Sequence, residues 1–360
     1  MRAAIWQRWL MHADVPVVDR HARPLGVLRL SLTGRCNLAC PYCCPDGDEP
    51  PGLLSLEAQL AVVRAACALG VHTLRLTGGE PLLSDRLWPL LEAIAAVRVD
   101  AADPMNALQQ VTLTTNGVLL TPERAHQLKA LGVARLTVSL DAVQPACVAR
   151  MAGLQGGAAA GERLFDQVMR GIEAARQAGF DPARGELKLN SVIQKGVNDD
   201  QLIPLATLAR QQGLELRLIE YMDVGNRNCW TADQVLSAAE MVARLQSFWP
   251  LEPQGRGRHA TAQRWRYRDG GGVVGVIASI TEPFCGDCNR LRVTADGQAF
   301  TCLFAAEGVD LKTWLTPVLD QPALTDALRG LWQRRDDRFS ELRTQLGADA
   351  AHAEMAYLGG

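Results

Sequence analysis

Lysine is scarce in this 360-residue chain: Lys129, Lys188, Lys195 and Lys312 are its four, so most of the 37 basic side chains are arginines. An anion site built here is therefore made of arginine, whose guanidinium forks suit bidentate contacts to phosphate. No lysine/arginine tract occurs, and 37 basic against 39 acidic residues give a formal charge of −2, which argues against a nucleic-acid partner. No apolar run approaches the ~20 residues of a membrane span. Near the start, Arg2, Arg8, His12 and Asp14 break up what would otherwise be a signal-peptide core. A disulfide-type cysteine pattern is missing too. The ten cysteines concentrate in two places with no leader ahead of them, which points to metal binding in the reducing cytoplasm. What remains is ample for a core: 48% of the residues are hydrophobic, and the length suits two domains or one large α/β barrel.

The first cysteine group, Cys36, Cys40 and Cys43, is spaced CxxxCxxC directly behind the alternating apolar run Val27 to Leu32. Three thiolates on a four-iron cluster leave one iron without a protein ligand, and an open iron is a place for chemistry. With Tyr42 just before the last cysteine, the loop resembles the radical S-adenosylmethionine (SAM) signature. That resemblance implies SAM chelated by the open iron and split by one electron into methionine and a 5′-deoxyadenosyl radical. Zinc is the competing reading, but it wants four ligands at CxxC-type spacing and no fourth follows. Cys44 reads as a bystander. The second group, Cys285, Cys288 and Cys302, again offers three ligands, with zinc plus a distant Cys229 as the rival. Arg290 and Arg292 alternate on the strand leaving Cys288 and so share a face. Two guanidiniums beside an open iron describe a polyanion pocket; a solvated hairpin face is the plainer alternative.

Strand-like runs at Val27 to Leu32, Thr73 to Thr77, Gln110 to Thr115, Arg135 to Leu140, Glu186 to Ile193 and Glu215 to Glu220 alternate with amphipathic stretches. One such stretch, Ser55 to Leu69, has Ser55 and Glu57 as cap-region residues and stops on Gly70. Six βα units predict an α/β fold, an incomplete (β/α)6 TIM-type barrel with residues 1–225 as the radical SAM part. Residues 226–360 form a C-terminal region, β-rich and then helical, that covers the open side. Its expected strands are Arg264 to Arg268, Gly272 to Ser279, Leu291 to Thr294 and Gln298 to Cys302, the last two joined at Asp296-Gly297. Leu311 to Leu346 reads as helical, and residues 147–163, with the Gly/Ala run Gly156 to Gly161, as a flexible surface loop.

Polar residues end the strands: Gly78-Gly79-Glu80-Pro81, Thr114-Thr115-Asn116, Ser139-Leu140-Asp141, Lys188 and Asn190, and Arg217 through Met222. Active sites lie at such C-terminal strand ends. Taken with Phe284-Cys285-Gly286-Asp287-Cys288-Asn289-Arg290-Leu291-Arg292, Ile219 to Gly225 and the closing Gly359-Gly360, the chain resembles the GTP 3′,8-cyclase family of molybdenum cofactor biosynthesis. The resemblance implies two 4Fe-4S clusters, on Cys36, Cys40 and Cys43 and on Cys285, Cys288 and Cys302. SAM would lie against Tyr42, Gly79, Thr115, Ser139 and Met222, with Lys188 a basic group near it. GTP would lie at the second cluster among Arg29, Arg75, Arg217, Arg290 and Arg292. Gly359 and Gly360 would reach into the active site. The family also implies a flavodoxin- or ferredoxin-type electron donor, cyclic pyranopterin monophosphate synthase downstream, and a homodimer.

Four departures from the family pattern stand out. Thr73 replaces a basic residue, Gly34 an acidic one and Cys44 a methionine, and the Gly/Ala segment near 157 is inserted. Two other functions compete with the cyclase: a radical SAM peptide-modifying enzyme, expected to carry a longer C-terminal cysteine series, and a non-enzymatic iron–sulfur or zinc scaffold.

Overall fold

The computed structural model describes residues 17–45, 47–346 and 352–359. Twelve strands, β1 (Val27–Ser31), β2 (Thr73–Thr77), β3 (Gln110–Thr115), β4 (Val133–Ser139), β5 (Leu187–Ile193), β6 (Glu215–Glu220), β7 (Leu251–Gly255), β8 (Gln263–Tyr267), β9 (Val273–Ile277), β10 (Arg290–Val293), β11 (Gln298–Phe300) and β12 (Val309–Asp310), form one sheet. Its order is β12-β11-β10-β1-β2-β3-β4-β5-β6-β9-β8-β7. The six barrel strands are parallel in sequence order, as expected of successive βα units.

The C-terminal region does more than cover the open side. It adds a strand to each edge of the barrel sheet, β9 parallel to β6 and β10 parallel to β1. The chain crosses between those two edges through residues 278–289, the segment that carries Cys285 and Cys288. Buried Glu220 fixes the start of this crossing, accepting from the backbone N–H groups of Ile280 (2.8 Å) and Thr281 (3.0 Å). β8 and β7 then continue one edge antiparallel, and β11 and β12 the other. β7 and β12 have no counterpart in the expected elements.

Alternation along the strands divides their side chains between two layers. Leu28, Leu30, Leu74, Leu76, Leu136, Leu189 and Leu218 have no exposed surface and belong to the main apolar core. The alternate positions, such as Arg29, Arg75, Thr112 and Arg135, leave a polar interior. The helix Leu56–Ala68 starts as the sequence predicts, with Ser55 accepting from the N–H of Ala58 at 3.2 Å. The tail contains the helices Lys312–Leu315, Gln321–Arg334 and Phe339–Leu346.

One expectation fails. Residues 147–163 are not a loop: Pro145–Met151 and Gly157–Gln177 are helices. Glycine here serves close packing, because a Cβ on Gly161 would stand 1.8 Å from the carbonyl oxygen of Pro145. Gly156, at φ 98°, makes the turn into the second helix.

Candidate functional site

Two cysteine-bearing cavities meet inside the barrel mouth. The first is lined by Cys36, Cys40 and Cys43 together with Tyr42, Gly79, Thr115, Ser139 and Met222. The segment leading into Cys36 is docked onto the end of β2 by backbone hydrogen bonds, Gly79 N–H to Thr33 C=O (2.9 Å) and Glu80 N–H to Arg35 C=O (2.8 Å). Gly79 must be glycine for this docking, since a Cβ there would meet the Arg35 carbonyl oxygen at 2.2 Å. The Glu80 carboxylate accepts from Leu82 N–H, Thr115 Oγ1 and Asn116 N–H at 2.7–3.0 Å, and burial pushes its pKa up to about 7. The Tyr42 hydroxyl donates to Asp141 at 2.7 Å, while Asp141 also accepts from Val192 N–H. Burial raises Asp141 to about 6.

The second cavity gathers Cys285, Cys288 and Cys302 with Arg29, Arg75, Arg290 and Arg292. Beneath its cysteine loop lies a buried ion group that the sequence motifs did not reveal. Asp19, with no side-chain exposure, pairs with Arg23 (2.5 Å) and Arg335 (3.4 Å), which are 1% and 2% exposed. Arg23 donates to the carbonyl of Cys285 and Arg335 to that of Cys288, both at 2.7 Å. Trp332, fully buried, stacks under Arg335 and donates its indole N–H to the Arg23 carbonyl. No spacing rule would have linked residues 19, 23 and 335.

Both thiol sets suit iron–sulfur clusters by the chemistry of their surroundings. Cys36 Sγ accepts from Leu38 N–H (3.5 Å) and Asn116 Nδ2 (3.8 Å); Cys302 Sγ accepts from Phe304 N–H (3.5 Å) and Cys288 Sγ from Arg290 Nη1 (3.4 Å). Among the described residues, no three or more His, Cys, Asp or Glu converge as they would around one metal ion. Burial pushes Cys43 and Cys302 up to about 12. For Cys288 burial acts the same way, but the guanidiniums of Arg290 and Arg335 outweigh it and bring the thiol down to about 7. Cys44 and Cys229 line neither cavity, and Cys229 is exposed. Cys229 therefore does not stand as a fourth ligand beside the second set.

Thr114, Asn190, Ile219 and Met222 line both cavities, so the two open onto a shared interior. Gly359 arrives there from the tail, its carbonyl accepting from Arg29 Nη2 (2.5 Å) and Thr77 Oγ1 (2.8 Å). Gly360 lies outside the described residues. Lys188, expected near the SAM residues, lines neither cysteine cavity: its ammonium pairs with Glu215 at 2.9 Å. The strand period explains this, since Lys188 precedes the rim residue Asn190 by one same-face step toward the other end of the barrel. Arg217 also lies toward that end, bonded to Glu215 at 2.9 Å.

Residues 30–209 match the model of the Radical SAM superfamily, and residues 214–341 that of Molybdenum Cofactor Synthesis C. Over 350 residues the chain is 67% identical to a GTP 3′,8-cyclase of Synechococcus sp. strain CC9605, covering 97% of this chain and 100% of that protein. A second GTP 3′,8-cyclase, from Synechococcus sp. strain WH7803, is 67% identical over 345 residues, 96% of this chain and 99% of the relative. Among solved structures, Streptococcus suis SuiB bound to the precursor peptide SuiA superposes with a TM-score of 0.59 over 94% of this chain and 70% of that one. At 14% identity this likeness concerns the fold alone.

Proposed function

Because the chain belongs to the GTP 3′,8-cyclase family of radical SAM enzymes, we propose that the first cavity holds a 4Fe-4S cluster with SAM and the second a 4Fe-4S cluster with GTP. The enzyme is a carbon–carbon bond-forming lyase that converts GTP to (8S)-3′,8-cyclo-7,8-dihydroguanosine 5′-triphosphate, the first step of molybdenum cofactor biosynthesis. When bound, the first cluster and SAM supply the 5′-deoxyadenosyl radical that takes hydrogen from the ribose 3′ carbon. The chain's own residues place the reactants. Cys36, Cys40 and Cys43 hold one cluster, with Tyr42, Gly79, Thr115, Ser139 and Met222 around SAM. Cys285, Cys288 and Cys302 hold the other. Arg29, Arg75, Arg290 and Arg292 give the substrate a cationic wall, and the Gly359 carbonyl orients Arg29 within it.

The observation that carries this reading is the shared lining of the two cavities, which lets a radical made in one reach a substrate in the other without crossing bulk solvent. No helix among the described residues is long and apolar enough to cross a membrane. A cytoplasmic homodimer, a flavodoxin- or ferredoxin-type donor and cyclic pyranopterin monophosphate synthase as consumer of the product complete the reading. The donor answers the need for a low-potential electron and the synthase the need to remove a reactive nucleotide, while the cytoplasmic homodimer rests on the family resemblance alone. The test is anaerobic incubation of reconstituted protein with SAM, reductant and each nucleoside triphosphate, read by mass spectrometry. The expected products are 5′-deoxyadenosine and an isomer of GTP, with GTP alone among the nucleotides. 5′-Deoxyadenosine without any cyclised nucleotide would overturn the substrate assignment.

A further inference from the structure

A third cavity, of ≈ 470 Å³, opens at the opposite end of the barrel, where Val27, Thr73 and Gln110 begin their strands. Seven arginines and no Asp or Glu line it. Arg29, Arg75 and Arg290 reach it from the second cysteine cavity, which they also line, so the two spaces share a wall. Arg217 was expected near GTP from its motif. Arg135, Arg258 and Arg264 belong to no motif and no expected site.

Strand register explains why two of these three converge with the rest. Arg292 on β10, Arg29 on β1, Arg75 on β2, Thr112 on β3 and Arg135 on β4 are successive cross-strand partners. Directly opposed residues in a sheet share a face, so Arg135 extends the arginine row around the interior. On the other side Arg264 of β8 is level with Gly275 of β9, which is level with Arg217 of β6. Arg264 reaches Glu215 at 3.0 Å across this row. That one carboxylate serves Lys188, Arg217 and Arg264 together, so the group keeps a surplus of positive charge. The Nε–H of Arg135 and of Arg264 are buried without a hydrogen-bond partner. Burial, and then repulsion among neighbouring arginines, lowers Arg75 to about 9 and lowers Arg135. The Arg264 side chain as a whole is 43% exposed, so burial and crowding bear on Arg75 and Arg135, while both Arg135 and Arg264 hold an unpaired Nε–H that an anion would satisfy.

Position 73 sharpens the argument. Its side chain is at the lip of this cavity, where the family pattern has a basic residue, and here it is a threonine whose hydroxyl is within 3.0 Å of His72 Nδ1. We propose that Arg135 and Arg264 bind the substrate's triphosphate in this chain, supplying from β4 and β8 the charge that Thr73 does not supply from β2. Glu215 is the positioning residue that holds Arg264 and Arg217 at the cavity wall. The proposal rests on GTP being the substrate.

The test is equilibrium binding of GTP and of guanosine to the anaerobic protein carrying both clusters, for the wild type, Arg135→Gln, Arg264→Gln and the double variant Arg135→Gln with Thr73→Lys. Each single variant should weaken GTP about 10-fold or more, the scale of one charge-assisted hydrogen bond, and leave guanosine unchanged. The added lysine should restore much of the loss. Arg135→Lys, which keeps the charge, should melt as the wild type does and fall between. If Arg135→Gln, Arg135→Lys and Arg264→Gln all keep the wild-type ratio of GTP to guanosine affinity while Arg75→Ala loses it, the two residues are not ligands and the substrate reading survives. A wild type that does not bind GTP more tightly than guanosine would instead remove the substrate reading itself.

Discussion

The two cysteine sites present the same three thiols in opposite settings. The first is made by one short loop, pinned by a glycine-dependent backbone contact, with the carboxyl of Asp141 in its lining and that of buried Glu80 behind it, raised by burial to about 6 and about 7. The second draws its cysteines from two segments, the crossing between β9 and β10 and the strand region after β11, and it is surrounded by guanidiniums. The difference shows at one thiol: burial pushes both Cys43 of the first set and Cys302 of the second up to about 12, and only at Cys288 do the guanidiniums outweigh it, bringing the thiol down to about 7. A site beside acids suits a cationic sulfonium, and a site beside arginines suits a polyanion. The two halves of the chain thus place one type of metal-ligand set in different electrostatic surroundings, which fits the sites proposed for SAM and for GTP.

The most severe way to separate the sites is at the cysteines. Cys36→Ser, Cys40→Ser or Cys43→Ser should abolish 5′-deoxyadenosine formation while the second set still takes up iron. Cys288→Ser or Cys302→Ser should abolish cyclisation with the first cluster still assembling. Iron content and electron paramagnetic resonance of each variant check this, and tetrahedral zinc at either set would contradict it.

The next effect concerns the support of the second site. Asp19→Asn or Arg335→Gln weakens a largely buried ion group in which Asp337, 25% exposed, also pairs with Arg23 and Arg335, so the cost should lie below the roughly 3–5 kcal/mol of a buried pair left with no partner. The expected outcome is a lower melting temperature with iron lost from the second set alone. The first loop, anchored to β2 instead, should keep its cluster. Equal loss from both sets would show that the two sites share their support.

A third and smaller change tests where the sites meet. Gly359 has φ 71°, and a Cβ there would stand 2.5 Å from Thr77 Cγ2. Gly359→Ala should therefore displace the carbonyl that Arg29 and Thr77 hold. The fold does not depend on this contact, so melting temperature and iron content should stay at wild-type values. Cyclisation should fall about 10-fold, the scale of one charge-assisted hydrogen bond lost from Arg29. Unchanged turnover would take the tail contact out of catalysis.

The first site was almost wholly legible in the sequence because its parts are local: a loop, its preceding strand and the Gly-Gly-Glu-Pro turn. The six barrel strands were legible for the same reason, from alternation within each run. Less could be read where meaning depends on distant partners. The joining of β10 to β1 pairs Val27 with Arg290, and nothing local to either strand announces it. Asp19, Arg23 and Arg335 look like ordinary surface charges until the fold buries them. Gly161 was read as freedom when it marks contact, since close packing and flexibility call for the same residue. Lys188 was assigned to the wrong end of its strand because a motif names a residue without saying which cavity it faces.

The smallest expected effect bears on the arginine end, where Thr73→Lys adds a cation beside the cavity. Two influences oppose one another. The new ammonium would attract a triphosphate, but it would enter a group whose members already depress one another, as Arg75 at about 9 and the lowered Arg135 record, burial acting first and neighbouring arginines after it. Each added like charge therefore costs the ligand-free protein some stability while strengthening the liganded one. If Arg135 and Arg264 already meet the triphosphate, the lysine adds only a redundant contact, and GTP should tighten by no more than about threefold, well under the tenfold that 1.4 kcal/mol provides. Guanosine affinity should not change, and the ligand-free protein should melt slightly lower. Binding measured for both ligands, with a thermal melt in the absence of nucleotide, decides the matter. A tenfold gain for GTP would mean that the wild-type cavity is short of charge, and that Arg135 and Arg264 do not fill the place left by Thr73.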